Sequence, residues 1–240
     1  MLRPLPMKTI GILGGMSNQA TAEYYRMLNE KVNARLGGWE IAETLILGLN
    51  FGNIEYYVRN GAWDEARVYL EGKVLNAYEG GADILVCVSN TMHRVLDRVE
   101  DLVPIPFIHI SDPTGAEISR QGLKKVGILG TKPVMEADYI KSRFMDKFGI
   151  ELISPSEEDQ VIVDAIIFNE LVRGDIQHSS KEAYVEISRK LLKQGAEGII
   201  LGCTEIFLLL KPEDLPEAPL FNTTELHVDA IVDLALKQVN

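Results

Sequence analysis

Cysteine is nearly absent from this 240-residue chain: there are only Cys87 and Cys203, neither in a CxxC pair. That excludes a disulfide framework and a thiolate-rich metal centre, so each cysteine is either a small core residue or a reactive thiol. Long hydrophobic runs are missing too. No apolar stretch approaches the roughly 20 residues needed to span a bilayer, and the opening MLRPLPM has no apolar signal core, so a cytoplasmic location is expected. Positive charge is scarce. The 24 Lys and Arg against 35 Asp and Glu leave a net charge of −11, which disfavours nucleic acid and anionic membranes as partners and favours a small molecule. No lysine stands in a Schiff-base context and no His/Asp/Glu cluster has metal-ligand spacing. GILGGMS lacks both the G-x-G-x-x-G fingerprint and a P-loop lysine, so a nucleotide loop is not indicated.

What the chain does have is enough apolar material for a full core, 46%, and an internal repeat. GILGGMS from Gly11 recurs as GILGTKP from Gly127; GADILVCVSNT from Gly81 answers GAEGIILGCTE from Gly195; PFIHISDPT from Pro106 answers PLFNTTELH from Pro219. The separations of 116, 114 and 113 residues keep one order and nearly one spacing, which chance recurrence would not do. Each copy reads as an α/β unit. A short apolar strand leads into a helical stretch, Ala22 to Arg35 or Met135 to Phe148. An amphipathic helix follows, Asp64 to Glu79 or Ser180 to Gln194, ending at Gly80-Gly81 or Gly195. The near-continuous apolar runs ADILVCV and EGIILGC then suit central parallel strands covered on both faces.

The expected architecture is therefore two pseudo-symmetric three-layer α/β domains with mainly parallel sheets. The first half covers residues 1–110 and the second 111–240, with the helix after about 225 free to pack back on the first. Open α/β sheets bind ligands beyond the carboxyl ends of their strands. Four such ends match in the two copies: Gly14 to Ser17, Ser89 to Thr91, Gly130 to Lys132 and Gly202 to Thr204. If the halves face each other, Ser89 and Cys203 approach one molecule from opposite sides, as inversion of a carbon stereocentre by proton removal and return requires. A thiol titrates close enough to neutrality for that task. Backbone N–H groups at the turns, with Asn90, Thr91, Thr131 and Thr204, suit a substrate carboxylate.

GILGGMS, SNTMH (89–93), PFIHISD, the GILGT turn, IIFNELVRG (166–174), GCTEI (202–206) and FNTTELH (221–227) together resemble the aspartate/glutamate racemase family. The resemblance implies an active site in the cleft between the two domains, catalysis without pyridoxal phosphate or metal, and commonly a homodimer. It points to the branch with broad aspartate/glutamate specificity. It assigns Cys203 to the second-half catalytic cysteine and places Ser89 at the first-half catalytic position, where many members carry cysteine and some threonine. Asn90, Thr91 and Thr204 match substrate-contacting positions, Met16 and Thr131 the corresponding turns, and Glu170 an acidic residue near the site.

Ser89 is the departure from the pattern, since an alcohol is a poor base unless His93 or water relays its proton. Cys87, two residues upstream, points to the same strand face but deeper. His93 and His109 suit polar or packing roles better than metal binding, and His227 borders the NTT turn. Arg59 and Arg173 are candidates for a distal carboxylate, and Glu157-Glu158-Asp159 reads as a solvated loop. Two other functions remain open: a malonate-type decarboxylase using Cys203 alone, and a dicarboxylate-binding homologue with weakened catalysis.

Overall fold

The computed structural model describes residues 7–237. Apart from Met7, the opening MLRPLPM segment lies outside the described residues. No helix among the described residues is long and apolar enough to cross a membrane. The chain divides into two compact units, residues 1–109 with 227–240, and residues 110–226.

In the first unit the order is β1 (Ile10–Gly14), α1 (Asn18–Leu36), β2 (Thr44–Gly48), α2 (Phe51–Asn60), α3 (Trp63–Glu79), β3 (Ile84–Cys87), α4 (Val99–Leu102) and β4 (Phe107–Ile108). All pairings are parallel, in the order β2-β1-β3-β4. The second unit contains α5 (Ser111–Arg120), β5 (Lys125–Leu129), α6 (Lys132–Glu136), α7 (Asp138–Phe148), β6 (Glu151–Ile153), α8 (Glu157–Asn169), α9 (His178–Lys193), β7 (Ile199–Leu201), α10 (Ile206–Leu209) and β8 (Leu220–Asn222). Its sheet repeats the pattern as β6-β5-β7-β8, again parallel. The last helix, α11 (Thr223–Ala235), starts in this unit and continues into the first.

The central strands are apolar on both faces because helices cover both. Ile10, Ile12, Ile84 and Val86 pack with α1 and α11, while Leu13, Leu85 and Cys87 face α3 and the segments after β3. Leu129, Ile199 and Leu201 pack towards α8 and α9, and Val126, Ile128 and Ile200 towards α5 and α7. The glycines that end α3 and α9 serve one purpose in both copies: Gly81 and Gly195 each adopt φ +94°, where a side chain would be strained.

Two expectations need correction. The helical stretch from Met135 to Phe148 is broken at Ala137, whose ψ of 111° separates α6 from α7. Periodicity cannot register the break, because Val134, Ala137, Ile140 and Phe144 stay in one core cluster across it. The acidic run Glu157-Glu158-Asp159 is the first turn of α8 and not a solvated loop. Ser156 Oγ caps that turn by accepting from Asp159 N at 3.3 Å, and negative side chains suit the positive end of a helix dipole. Asp159 is buried and receives Lys190 Nζ at 2.9 and 3.1 Å.

Candidate active site

In each sheet the chain leaves its first strand towards one side and returns on the other, placing the topological switch between β1 and β3 and between β5 and β7. In open α/β sheets, ligands bind beyond the carboxyl ends of the strands at such a switch. In register, Leu13 lies opposite Cys87 and Leu129 opposite Leu201. The turn at Gly14 to Ser17 therefore neighbours Ser89 to Thr91 in one unit, and Gly130 to Lys132 neighbours Gly202 to Glu205 in the other.

The glycines at these ends are required by backbone proximity. Gly15 has φ +81°, and a Cβ there would fall 2.1 Å from the Leu49 carbonyl oxygen. At Gly202 a Cβ would lie 2.8 Å from Leu129 O, to which Gly202 N donates at 2.6 Å. Thr21 Oγ1 accepts from Gly15 N and donates to Ser17 O, both at 2.7 Å, and Ser17 Oγ caps α1 through Ala20 N. The Met16 side chain is buried in the core with Leu13 and Leu49.

Ser89, Asn90 and Thr91 are all buried, at the start of a 3-10 turn over Thr91–Val95. Ser89 Oγ accepts from Met92 N at 3.3 Å. His93 is fully enclosed, and its Nδ1 lies 2.7 Å from the Ser89 carbonyl oxygen. That nitrogen holds the main chain of Ser89, so a proton relay from the hydroxyl does not run through it and, of His93 and water, water remains. Cys87 is completely buried, with its sulfur 4.0 Å from Ser89 O, and burial pushes its thiol far above the usual range. An inert core role follows.

In the second unit Thr131 takes the extended conformation of an N-cap, and its carbonyl accepts from Val134 N and Met135 N. The Asp164 carboxylate accepts from Lys132 N at 2.8 Å. Cys203 is buried, 9% exposed, and its thiol donates to Glu205 Oε2 at 3.0 Å. Thr204 Oγ1 donates to the same oxygen at 2.8 Å. Glu205 is only 2% exposed, so a carboxylate is built into the interior beside the thiol. Burial first, and then this carboxylate, hold the Cys203 thiol well above its usual range. The same cause order, burial and then the field of Cys203, Asp164, Glu170 and Glu205, raises the Tyr184 phenol.

Glu170 terminates α8 and accepts from Ser180 Oγ at 2.6 Å. Arg59 lies on exposed α2, 3.4 Å from Glu55, and Arg173 is exposed in the turn after α8. Neither is at a strand end. Within the units, then, Met16 neighbours Ser89, Asn90 and Thr91, and Thr131 neighbours Cys203 and Thr204. Glu205 was not singled out by sequence reasoning. The only available signal was its place in GCTEI, since its burial and its bond to the thiol are tertiary facts.

A family model for Asp/Glu/Hydantoin racemase matches residues 13–231 of the chain. The chain belongs to that family. It is a family of enzymes, and its racemases have solved structures with the same two-sheet fold. A candidate Asp/Glu racemase from Yersinia pestis is 40% identical, with 96% of this chain and 100% of that one covered at a TM-score of 0.87. An aspartate racemase homologue from Pyrococcus horikoshii OT3 is 32% identical, with 95% and 99% covered at a TM-score of 0.81. The broad specificity amino-acid racemase RacX of Bacillus subtilis is 24% identical over 84% of this chain and 87% of its own length.

Proposed function

We propose that this Asp/Glu-racemase-family chain interconverts the enantiomers of aspartate, glutamate or both, with Cys203 and Ser89 serving opposite faces of Cα. Inversion needs one group to take the α-proton and another to return a proton from the other side. The carrying observation is the buried Cys203–Glu205 pair at the end of β7, in the position that Ser89 occupies at the end of β3. A thiol held protonated beside a carboxylate is ready to donate. To act in the other direction it needs a proton acceptor, and Glu205 Oε2 lies within hydrogen-bonding distance.

The other groups take roles that follow from their places. Main-chain N–H groups at the strand ends, that of Thr204 among them, with the Asn90, Thr91 and Thr131 side chains, hold the substrate α-carboxylate and the charge that grows on it as Cα loses its proton, while the Thr204 hydroxyl stays bonded to Glu205. Met16 shapes the turn beyond β1. Glu170, held by Ser180 Oγ, offers its carboxylate to the substrate ammonium group.

Incubation of each enantiomer of aspartate and glutamate in D₂O tests the reading. Inversion should appear together with deuterium at Cα, and Cys203→Ala should abolish both. Optical purity retained at high enzyme concentration would exclude racemisation. Carbon dioxide release from a disubstituted malonate in its place would mark a decarboxylase using Cys203 alone.

A further inference from the structure

Three of the protein's four histidines are buried together in the first unit: His93, His109 and His227. A buried imidazole keeps a fixed orientation only where its N–H has an acceptor and its ring has a packing partner. His93 has both. Its Nδ1 is 2.7 Å from the Ser89 carbonyl oxygen, which can only accept, so the proton resides on Nδ1. Its ring stacks on Phe107 at 5.4 Å and contacts His109 at 4.4 Å between centroids.

That packing surface is itself anchored. His227 Nε2 lies 2.9 Å from the Ile108 carbonyl oxygen and therefore donates to it, while the Tyr24 hydroxyl, 2.9 Å from Nδ1, donates in return. β4 is thus clamped by a histidine of α11, and β4 in turn supports the ring of His93. The carbonyl held by His93 belongs to the peptide immediately after Ser89, so the bond fixes the rotation that aims the Ser89 side chain. Met92 N, donating to Oγ at 3.3 Å, fixes the hydroxyl from the other end.

We infer that His93 is a positioning residue for Ser89: its Nδ1–H, bonded to the Ser89 carbonyl, sets the direction of the hydroxyl that serves one face of the substrate. The inference rests on the racemase reading, in which Cys203 serves the other face. It separates two events. When Cys203, its own proton passed to Glu205, removes the α-proton, that proton can exchange with solvent and a deuteron return from Cys203, giving labelled substrate of unchanged configuration, or the exchanged Ser89 hydroxyl can give its deuteron to the opposite face and be redeuterated by solvent, giving the labelled mirror image. Misaiming Ser89 slows the second and leaves the first.

Starting from the enantiomer whose retained-configuration labelling survives Ser89→Ala, the experiment records that labelling and inversion in D₂O for wild type, His93→Phe, which keeps an aromatic ring without an N–H, and His93→Asn, whose amide N–H can reach the Nδ1 position. In His93→Phe inversion should fall roughly tenfold or more while retained-configuration labelling stays near wild type, and His93→Asn should restore most of the inversion. Equal loss of both signals in a folded His93→Phe, or wild-type inversion in it, overturns the inference while the racemase reading stands. If His93→Phe does not fold, His93→Asn is compared with His93→Gln, whose donor reaches too far. The ratio of inversion to labelling should fall only in His93→Gln, and equal ratios overturn the inference. A wild-type protein giving neither signal removes the racemase reading itself, and this inference with it.

Discussion

The Cys203 thiol and the Glu205 carboxylate share one hydrogen bond in a buried setting, which ties thiol acidity to a neighbouring charge. Burial and then Glu205 raise the thiol, so Cys203 keeps its proton to higher pH than a free cysteine, which titrates near 8.5. Alkylation needs the thiolate, so reaction of Cys203 with iodoacetamide should be slow at neutral pH and climb only on the alkaline side. Glu205→Gln removes the negative charge and should move that profile to lower pH; a profile unmoved or moved upward would show that Glu205 does not control the thiol. The same substitution removes the proton acceptor, and inversion should slow by about 10² or more. Cys87, enclosed on all sides, should stay unlabelled in the folded protein, with Cys203→Ala as the control. Ser89 and Cys203 could be singled out without coordinates because a repeat sets them in register. Glu205 could not, since a glutamate following a threonine in a polar turn reads as surface until its carboxylate is seen to turn inward. His93 was visible as a neighbour of Ser89, but that its Nδ1 grips a carbonyl and not the hydroxyl depends on the path of the 3-10 turn.

The turn after β1 and the helix pair α5 and α7 offer tests one level up. At Gly15 an alanine would combine a left-handed φ of +81° with a Cβ 2.1 Å from Leu49 O. Gly15→Ala should destabilise the first unit by roughly 2–5 kcal/mol, seen as an earlier urea transition, and an unchanged midpoint would mean that the turn relaxes freely. Between α5 and α7, Asp112 receives Arg143 through Nε at 2.6 Å and a second nitrogen at 2.7 Å, with Lys147 Nζ at 2.8 Å. Burial pushes its carboxyl upward, but the bonds from Arg143 and Lys147 outweigh that and leave it below the usual range. A carboxyl lowered by folding adds stability that is present above its unfolded value near 3.9 and vanishes as pH falls through the folded one. Asp112→Asn should therefore cost about 1–2 kcal/mol at neutral pH and flatten the acid limb of the urea-midpoint curve; a limb of unchanged slope would assign acid sensitivity elsewhere. The four central strands β1, β3, β5 and β7 were legible because buried parallel strands are continuous apolar runs that finish in glycine or small polar residues, whereas the flanking strands β2, β4, β6 and β8, two to five residues long, were not. The interruption at Ala137 and the helical start at Glu157 were not legible either. Both depend on what local backbone groups bond to, and hydrophobic spacing carries no record of that.

Across the whole chain, sequence repeat and compact unit do not coincide. The repeat marks two successive halves, whereas the first unit also takes residues 227–240. The sequence left the helix after about 225 free to pack back on the first half. The structure answers for α11 and the residue after it: Val228, Ile231, Val232 and Ala235 of the helix, with Leu236, are buried with Ile10, Ile12, Ile84 and Val86 of the first sheet. His227 adds the bonds to Ile108 O and Tyr24. Four of the five apolar side chains are large, and burying each contributes about 1.5–3 kcal/mol, or roughly 6–12 kcal/mol together as an upper estimate. That is comparable with the entire stability of an ordinary domain, about 5–15 kcal/mol. Ending the chain after Leu226 should thus unfold the amino-terminal unit, far away in sequence, while every residue assigned to the second unit is still present. Amide hydrogen exchange separates the outcomes: β1 and β3 should lose protection while β5 and β7 keep theirs. Retained protection in β1 and β3 would show that the first sheet is stable without its carboxyl-terminal helix. Because Ser89 is carried by β3, the truncated protein should also lose inversion while the second unit keeps the Cys203–Glu205 pair, still detectable through the pH profile of thiol alkylation.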